Sequence, residues 1–524
     1  MPGNLALILH AHLPFVRHPE HEHFLEEDWF FEALTESYIP LLFMMQQLER
    51  DGVPFKLTMS ITPTLCAMLQ DPLLRTRYLR YLENAIELSQ REIERNRDNQ
   101  ALHELAEFYH ARFGECRQRF AEDWKCDLLS AFAALHKNGS LELIASAATH
   151  GLLPLLRQSR EAVRAQVLIG CDLFREAFQA EPAGFWLPEC AYLPGLEDIL
   201  QEANLRWFIL DTHGVMFGEP PPRSAIFAPY FTAAGPAVFA RDGESSRQIW
   251  SAEEGYPGDP FYRDFYRDVG YDLAPEYLWP GSQHHIRRFT GIKYHRVTSR
   301  GGTKELYDRS AAEQRTQAHA EHFINERRVQ MTKACEFNSE PIVVTPFDAE
   351  LFGHWWFEGP RFLDLVIRKI AADRLDFALT TPSEYLKTHP KQQVIAPAAS
   401  SWGDKGYFEV WLDKSNSWIY PHLHAAARRM VETARAHERD ATPHTDAVLK
   451  QLARELLLAQ SSDWAFLMKT ATAREYATQR THDHILRFNR LHEQFIAKTV
   501  DENLLSEYEE RDNLFPNVNW RYYI

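Results

Sequence analysis

A short apolar run that stops at a proline or a chemically active side chain recurs seven times along this chain, ahead of His10, Pro63, His150, Glu189, Asp211, Arg241 and Asp348. Helical sequence separates the runs. That alternation is the signature of parallel β/α units, which place active sites at the C-terminal ends of their strands. A closed barrel and an open doubly wound sheet both fit the pattern, but no Gly-rich phosphate-binding turn follows any run.

Two of the seven ends carry a carboxylate in similar surroundings. In GFWLPECAYLPGLEDIL, from Gly184 to Leu200, the acid Glu189 follows Pro188, which cannot donate to a sheet ladder and tends to end a strand. A helix then starts near Pro194, with Leu196, Ile199 and Leu200 at helical spacing. In PIVVTPFDAELFGHWWFEGP, from Pro341 to Pro360, Asp348 follows an apolar run and a proline, and Trp355 and Trp356 come after it. One such acid alone reads as an ordinary loop carboxylate. Two of them at strand ends beside flat aromatics read as a site for retaining chemistry at a sugar, where one carboxylate is nucleophile and the other acid and then base.

Other strand ends supply polar groups. Alternation puts His10 and His12 on one side of the first strand, Leu5–Leu9, as metal ligands or as hydrogen-bond donors to hydroxyls or to a catalytic acid. His150 follows the run 141–146. The stretch from Trp250 to Pro280 is too irregular for one element and too aromatic for a linker, so it reads as an ordered functional loop with Trp279 as its sugar platform. From about Asp71 to Glu122 the sequence is polar and helical, broken at Arg97-Asp98-Asn99, and reads as a helical hairpin inserted between strands (subdomain 71–135). A short strand is expected at Phe377–Leu379.

Residues 1–391 thus form the catalytic unit and 392–524 a second, helical domain. The latter opens with an aromatic cluster holding Trp402 and Trp411, then carries amphipathic helices at 421–438, 445–459 and 473–498. Between them Ser461-Ser462-Asp463-Trp464 either caps a helix or sends Asp463 back to the site.

With a net charge of −16, the chain lacks the clustered Lys and Arg that nucleic acid or an anionic membrane rewards, so a neutral partner fits better. Its six cysteines show no CxxC spacing, and no apolar span reaches the roughly 18 residues of a membrane helix. A soluble cytoplasmic protein, with no nucleic-acid or membrane partner, is expected.

The motifs resemble glycoside hydrolase family 57, and within it the 1,4-α-glucan branching enzymes. They are HAHLP (10–14), LELIASAATHG (141–151), WLPECAY (186–192), TPFDAELFGHWWFEGP (345–360) and SSDW (461–464), in the family's order over nearly the whole length. Ser140 departs from the Gln common among relatives. The resemblance implies a (β/α)7 barrel with an inserted helical domain and a C-terminal helical domain, and a retaining mechanism without metal or other cofactor. It makes Glu189 the nucleophile and Asp348 the general acid/base. His10, His12, His150, Trp279, Trp355, Trp402, Trp411 and Asp463 become substrate-binding residues, and α-1,4-glucan becomes both donor and acceptor, acted on by a monomer or homodimer. Transfer in the family is tied to a tyrosine near the tip of a mobile loop, for which Tyr230 and Tyr256 are candidates. The alternatives are an α-glucan hydrolase of the same family, a metal-dependent hydrolase or deacetylase using His10 and His12, and a glucan-binding module with a degenerate site.

Overall fold

The computed structural model describes residues 3–251, 254–280, 287–298, 303–373, 375–439 and 441–524. Two residues of the expected Trp250–Pro280 loop, 252 and 253, lie outside that set.

All seven apolar runs are strands. They are β1 (Gly3–Ala11), β2 (Leu57–Ile61), β3 (Leu141–Ser146), β4 (Gly184–Trp186), β5 (Trp207–Leu210), β7 (Ala237–Ala240) and β8 (Ile342–Asp348). They pair in parallel in the order β7-β5-β4-β3-β2-β1-β8. The ends meet where Arg241 bridges Val344 and the Asp242 N–H donates to the Val344 carbonyl at 2.8 Å, so the sheet closes into a (β/α)7 barrel. Two short strands lie outside the ring: β6 (Tyr230–Phe231) runs antiparallel to β7, and β9 (Phe377–Leu379) pairs with the start of β1.

Alternation explains what fills the barrel. Ala6, Ile8, Ile144, Trp186, Trp207, Ile209, Phe239, Ile342 and Val344 make one buried cluster. Leu5, Leu7, Leu9 and Val343 belong to the larger cluster shared with the surrounding helices. Continued at the same alternation, the inward set of β1 reaches His10 after Ile8 and that of β8 reaches Asp348 after Val344 and Pro346, and the register pairs these two residues across the strands. The interior apolar column therefore ends in polar groups at one mouth.

The polar segment after β2 folds as an antiparallel pair, Pro72–Arg95 and Gln100–Gln118, capped by the side chains of Asp71 and Asn99. Its inner face holds the irregular segment after β7. Glu92 accepts from Tyr277 at 2.8 Å and Tyr294 at 3.0 Å, and Tyr109 donates to the Lys293 carbonyl at 2.7 Å. The C-terminal part is helical: Ile419–Ala436, Pro443–Ala459, Ser462–Thr470, Arg474–Ala497 and Glu502–Arg511. Among the described residues no helix is long and apolar enough to cross a membrane.

Candidate active site

Glu189 sits in the turn after β4 with φ 60° and ψ 23°, and Cys190 after it also has a positive φ. An L-residue pays for that conformation, on the order of 1 kcal/mol or more, and such strain collects where a side chain must be aimed. Pro188 cannot extend the ladder, so the chain turns there and throws the carboxylate over the barrel mouth. The His150 turn has the same feature, with φ 55°.

The Glu189 carboxylate accepts from the Trp402 indole Nε1 at 2.6 Å through Oε2, while Oε1 lies 4.0 Å from His150 Nδ1. Burial pushes its pKa up to about 8; the Trp402 N–H works against that rise, and the charges of Asp348 and Asp463 add to it. Asp348, at the end of β8, is raised by burial to about 6, with Arg241 and His12 opposing. Arg241 also pairs with Asp211 at 3.1 Å and lies 5.2 Å from the Trp402 ring centroid.

Three histidines stand beside the acids. His10 stacks on Trp186 at 4.3 Å between centroids, and its Nε2 is 3.0 Å from His150 Nε2. Burial holds both well below the usual histidine range, so both rings are neutral and one donates to the other. His150 Nδ1 pairs with Ser462 Oγ at 3.0 Å. His12 sits between Thr62 at 3.0 Å and both Asp463 oxygens at 3.0 and 3.1 Å. Burial presses the Asp463 pKa upward, but His12, His150 and Ser461 outweigh it and hold the group at about 2. Ser461 makes no side-chain cap on the helix that follows it, and Asp463 instead reaches back to His12 at the first strand end.

Some of the sequence-expected contacts fall elsewhere. Trp411 is 1% exposed in the core, directly under Gly403, so it offers no face to a sugar. Tyr230 is buried on β6 with its hydroxyl bonded to the Ala225 carbonyl, and it accepts from the Ser224 N–H. Tyr256 is buried against His319 and pairs with His322 at 2.8 Å. Neither tyrosine is at a free loop tip, because in each case the phenol is the anchor of its segment. Trp279 is half-buried under the Arg288 guanidinium, in a cavity whose lining includes neither Glu189 nor Asp348. Trp355 is exposed and stacks on Phe265.

Glu350 was not singled out in sequence. Its carboxylate accepts from the His12 N–H at 3.0 Å and from the Tyr38 hydroxyl, and burial raises it to about 8. Its place two residues after Asp348 was visible; its partners, 312 and 338 positions away, were not. Trp186, Arg241 and Ser462 likewise gain roles only from contacts across the barrel mouth. For a metal, His12, His150 and Asp463 bring one ligand atom each within 4.8 Å of one another, a set different from the His10–His12 pair expected in sequence. Glu455, His484 and Asp512 form another such group inside the C-terminal helices.

Buried carboxylates on two strand ends of a β/α barrel, one held by an indole N–H and flanked by neutral histidines, are the equipment of a carbohydrate-active enzyme. Residues 6–398 match the model of glycosyl hydrolase family 57, and residues 422–523 match that of the 1,4-alpha-glucan branching enzyme C-terminal region. The chain belongs to glycosyl hydrolase family 57. It is 34% identical to the 1,4-alpha-glucan branching enzyme TK1436 of Thermococcus kodakarensis, covering 99% of this chain and 78% of that one. Among solved structures, the alpha-amylase AmyC of Thermotoga maritima is 41% identical with a TM-score of 0.93, covering 100% of this chain and 99% of that one. The GH57-type branching enzyme of Pyrococcus horikoshii is 35% identical with a TM-score of 0.89, covering 100% and 97%.

Proposed function

We propose that this protein is a retaining 1,4-α-glucan branching enzyme, with Glu189 as nucleophile and Asp348 as general acid/base. The observation that carries the assignment of roles is the Trp402 Nε1 to Glu189 Oε2 bond at 2.6 Å: a donor-only group favours the ionised form of the acid it touches. Asp348 is also raised above its ordinary range by burial, with the charges of Arg241 and His12 opposing, which leaves it able to carry the proton that it must deliver. The branching-enzyme C-terminal match and the branching-enzyme relatives support the reaction class.

In the first displacement, Glu189 Oε1, the oxygen that Trp402 does not hold, attacks the anomeric carbon of an α-1,4-linked chain. The C1–O4 bond breaks as Asp348 delivers its proton to O4. In the second, Asp348 takes the proton from the 6-hydroxyl of an acceptor chain. That oxygen then displaces Glu189 from C1, and the configuration is retained over the two steps. The neutral rings of His10 and His150, bonded to each other and to Ser462, shape the wall beside the reacting carbon, and the ionised Asp463 offers acceptor oxygens to sugar hydroxyls there.

In the free enzyme the two acids keep one proton between them near neutral pH, and burial favours Glu189 as its resting place, at about 8 against about 6 for Asp348. The productive form has that proton on Asp348. Trp402 is the group that narrows the gap.

Hydrolysis is the second reading, favoured by the 41% identity to the alpha-amylase AmyC. It differs only in that water takes the place of the 6-hydroxyl. Product analysis on amylose separates the two: new α-1,6 links mark branching, whereas reducing ends without new links mark hydrolysis and refute the transfer assignment. All six cysteines are unpaired, four of them buried, which favours a reducing cytoplasm as the setting.

A further inference from the structure

Beyond the Asp348 turn the protein displays a continuous strip of aromatic rings. Trp355 stacks on Phe265 with centroids 4.4 Å apart and planes inclined by 27°. Phe265 meets Phe289 at 5.6 Å, Phe289 meets Tyr271 at 5.3 Å, and Tyr266 stands edge-on to Phe265 at 5.1 Å. Large aromatics at this density belong in a core, yet Trp355, Tyr266 and Tyr271 are 49%, 75% and 46% exposed.

The strip is built from below. The Lys293 ammonium lies 4.4 Å from the Phe265 centroid and 4.6 Å from that of Phe289, and the lysine itself is 1% exposed. Burying an ammonium costs free energy, which nearby acids, Glu36 foremost, offset. A charge committed under two rings holds them in place as a surface. The strip also starts beside the catalytic turn. The Trp355 N–H donates to the Glu350 carbonyl at 3.2 Å, and Glu350 in turn accepts from the His12 N–H at 3.0 Å.

The chemistry of the strip selects its occupant. Its exposed members are rings, two of them phenols, with no aliphatic side chain among them. A pyranose offers the matching partner, an apolar face bordered by hydroxyls. A polymeric substrate extends past the few sugars that the reacting site can hold. We propose that this strip is a second glucan-binding surface, one that holds the outlying part of an α-1,4-glucan chain engaged at the catalytic mouth. This inference rests on the α-glucan reading above.

The test is the double variant Tyr266→Ala/Tyr271→Ala in the full chain, both positions being exposed. Wild-type protein should be retarded in native gels containing amylose, and the variant should lose that retardation. Its KM for amylose should rise about fivefold, against less than about twofold for maltoheptaose. Equal retardation of the two proteins, or equal changes on both substrates, overturns the proposal. A dimeric mass by light scattering that falls to the monomer in the variant, with amylose retardation kept, assigns the strip to a second copy of the chain and overturns it too. A wild type that turns over neither glucan would refute the catalytic reading alone, because retardation lost in the variant would still support the surface.

Discussion

Replacing Trp402 with Phe keeps an aromatic ring between Glu189 and Arg241 but deletes the N–H that reaches Glu189 Oε2 at 2.6 Å. A hydrogen bond to a buried charged group contributes about 1.5–3 kcal/mol, or roughly one to two pKa units. Since the bond favours the carboxylate, its loss raises the Glu189 pKa further above its present value of about 8. Two effects follow together. The alkaline limb of the kcat/KM profile, set by loss of the pair's last proton, moves up by one to two pH units. The plateau falls by roughly ten- to a hundredfold, because less of the singly protonated pair carries its proton on Asp348. The acid limb, near the Asp348 value of about 6, stays close to its wild-type position. The assay is kcat/KM on amylose from pH 5 to 10, with thermal unfolding as a check on folding. A plateau kept within twofold, or an alkaline limb that moves down, would refute the role given to Trp402 and with it the assignment of Glu189 as the ionised partner.

Glu189→Gln is isosteric and can still accept from Trp402, so it should fold with unchanged or slightly higher stability while turnover falls roughly a thousandfold or more; near-normal rates would remove Glu189 from the chemistry. Gly353 has φ 117°, and a Cβ there would lie 1.8 Å from the Glu36 carbonyl oxygen, so Gly353→Ala should cost about 3 kcal/mol or more in urea unfolding; a change below 1 would show that the turn yields easily. Asp463 titrates at about 2 in the folded protein against an ordinary 3.8, so its ionised form contributes about 2 kcal/mol that is present above pH 4 and fades as pH falls toward 2. Asp463→Asn should therefore flatten the stability–pH curve in that window, and an unchanged slope would count against the His12–Asp463 pair as a source of stability.

The strand ends were legible because strand punctuation is local. A short apolar run, a proline and a polar residue fix where a strand stops whatever surrounds it, which is why all seven runs found their strands and why Glu189 and Asp348 stood out. The helical hairpin and the C-terminal helices were legible for the same reason, through periodicity and capping. The aromatics were read less well, since an indole or phenol looks the same in sequence whether it is a platform, a core residue or an anchor. Trp411, Tyr230 and Tyr256 proved to be buried, and Trp402 proved to be a hydrogen-bond donor to the nucleophile candidate.

The sequence by itself determined the barrel's strands and which of them end in chemistry, because both depend on neighbours a few residues apart. Only the tertiary structure decided how those ends act on one another. It set Trp402 on Glu189 across 213 positions, Ser462 on His150 across 312 and Asp463 on His12 across 451. A pKa, a tautomer or a stacking face is set by what lies within a few ångströms in space, and chain separation carries no information about that until the barrel closes.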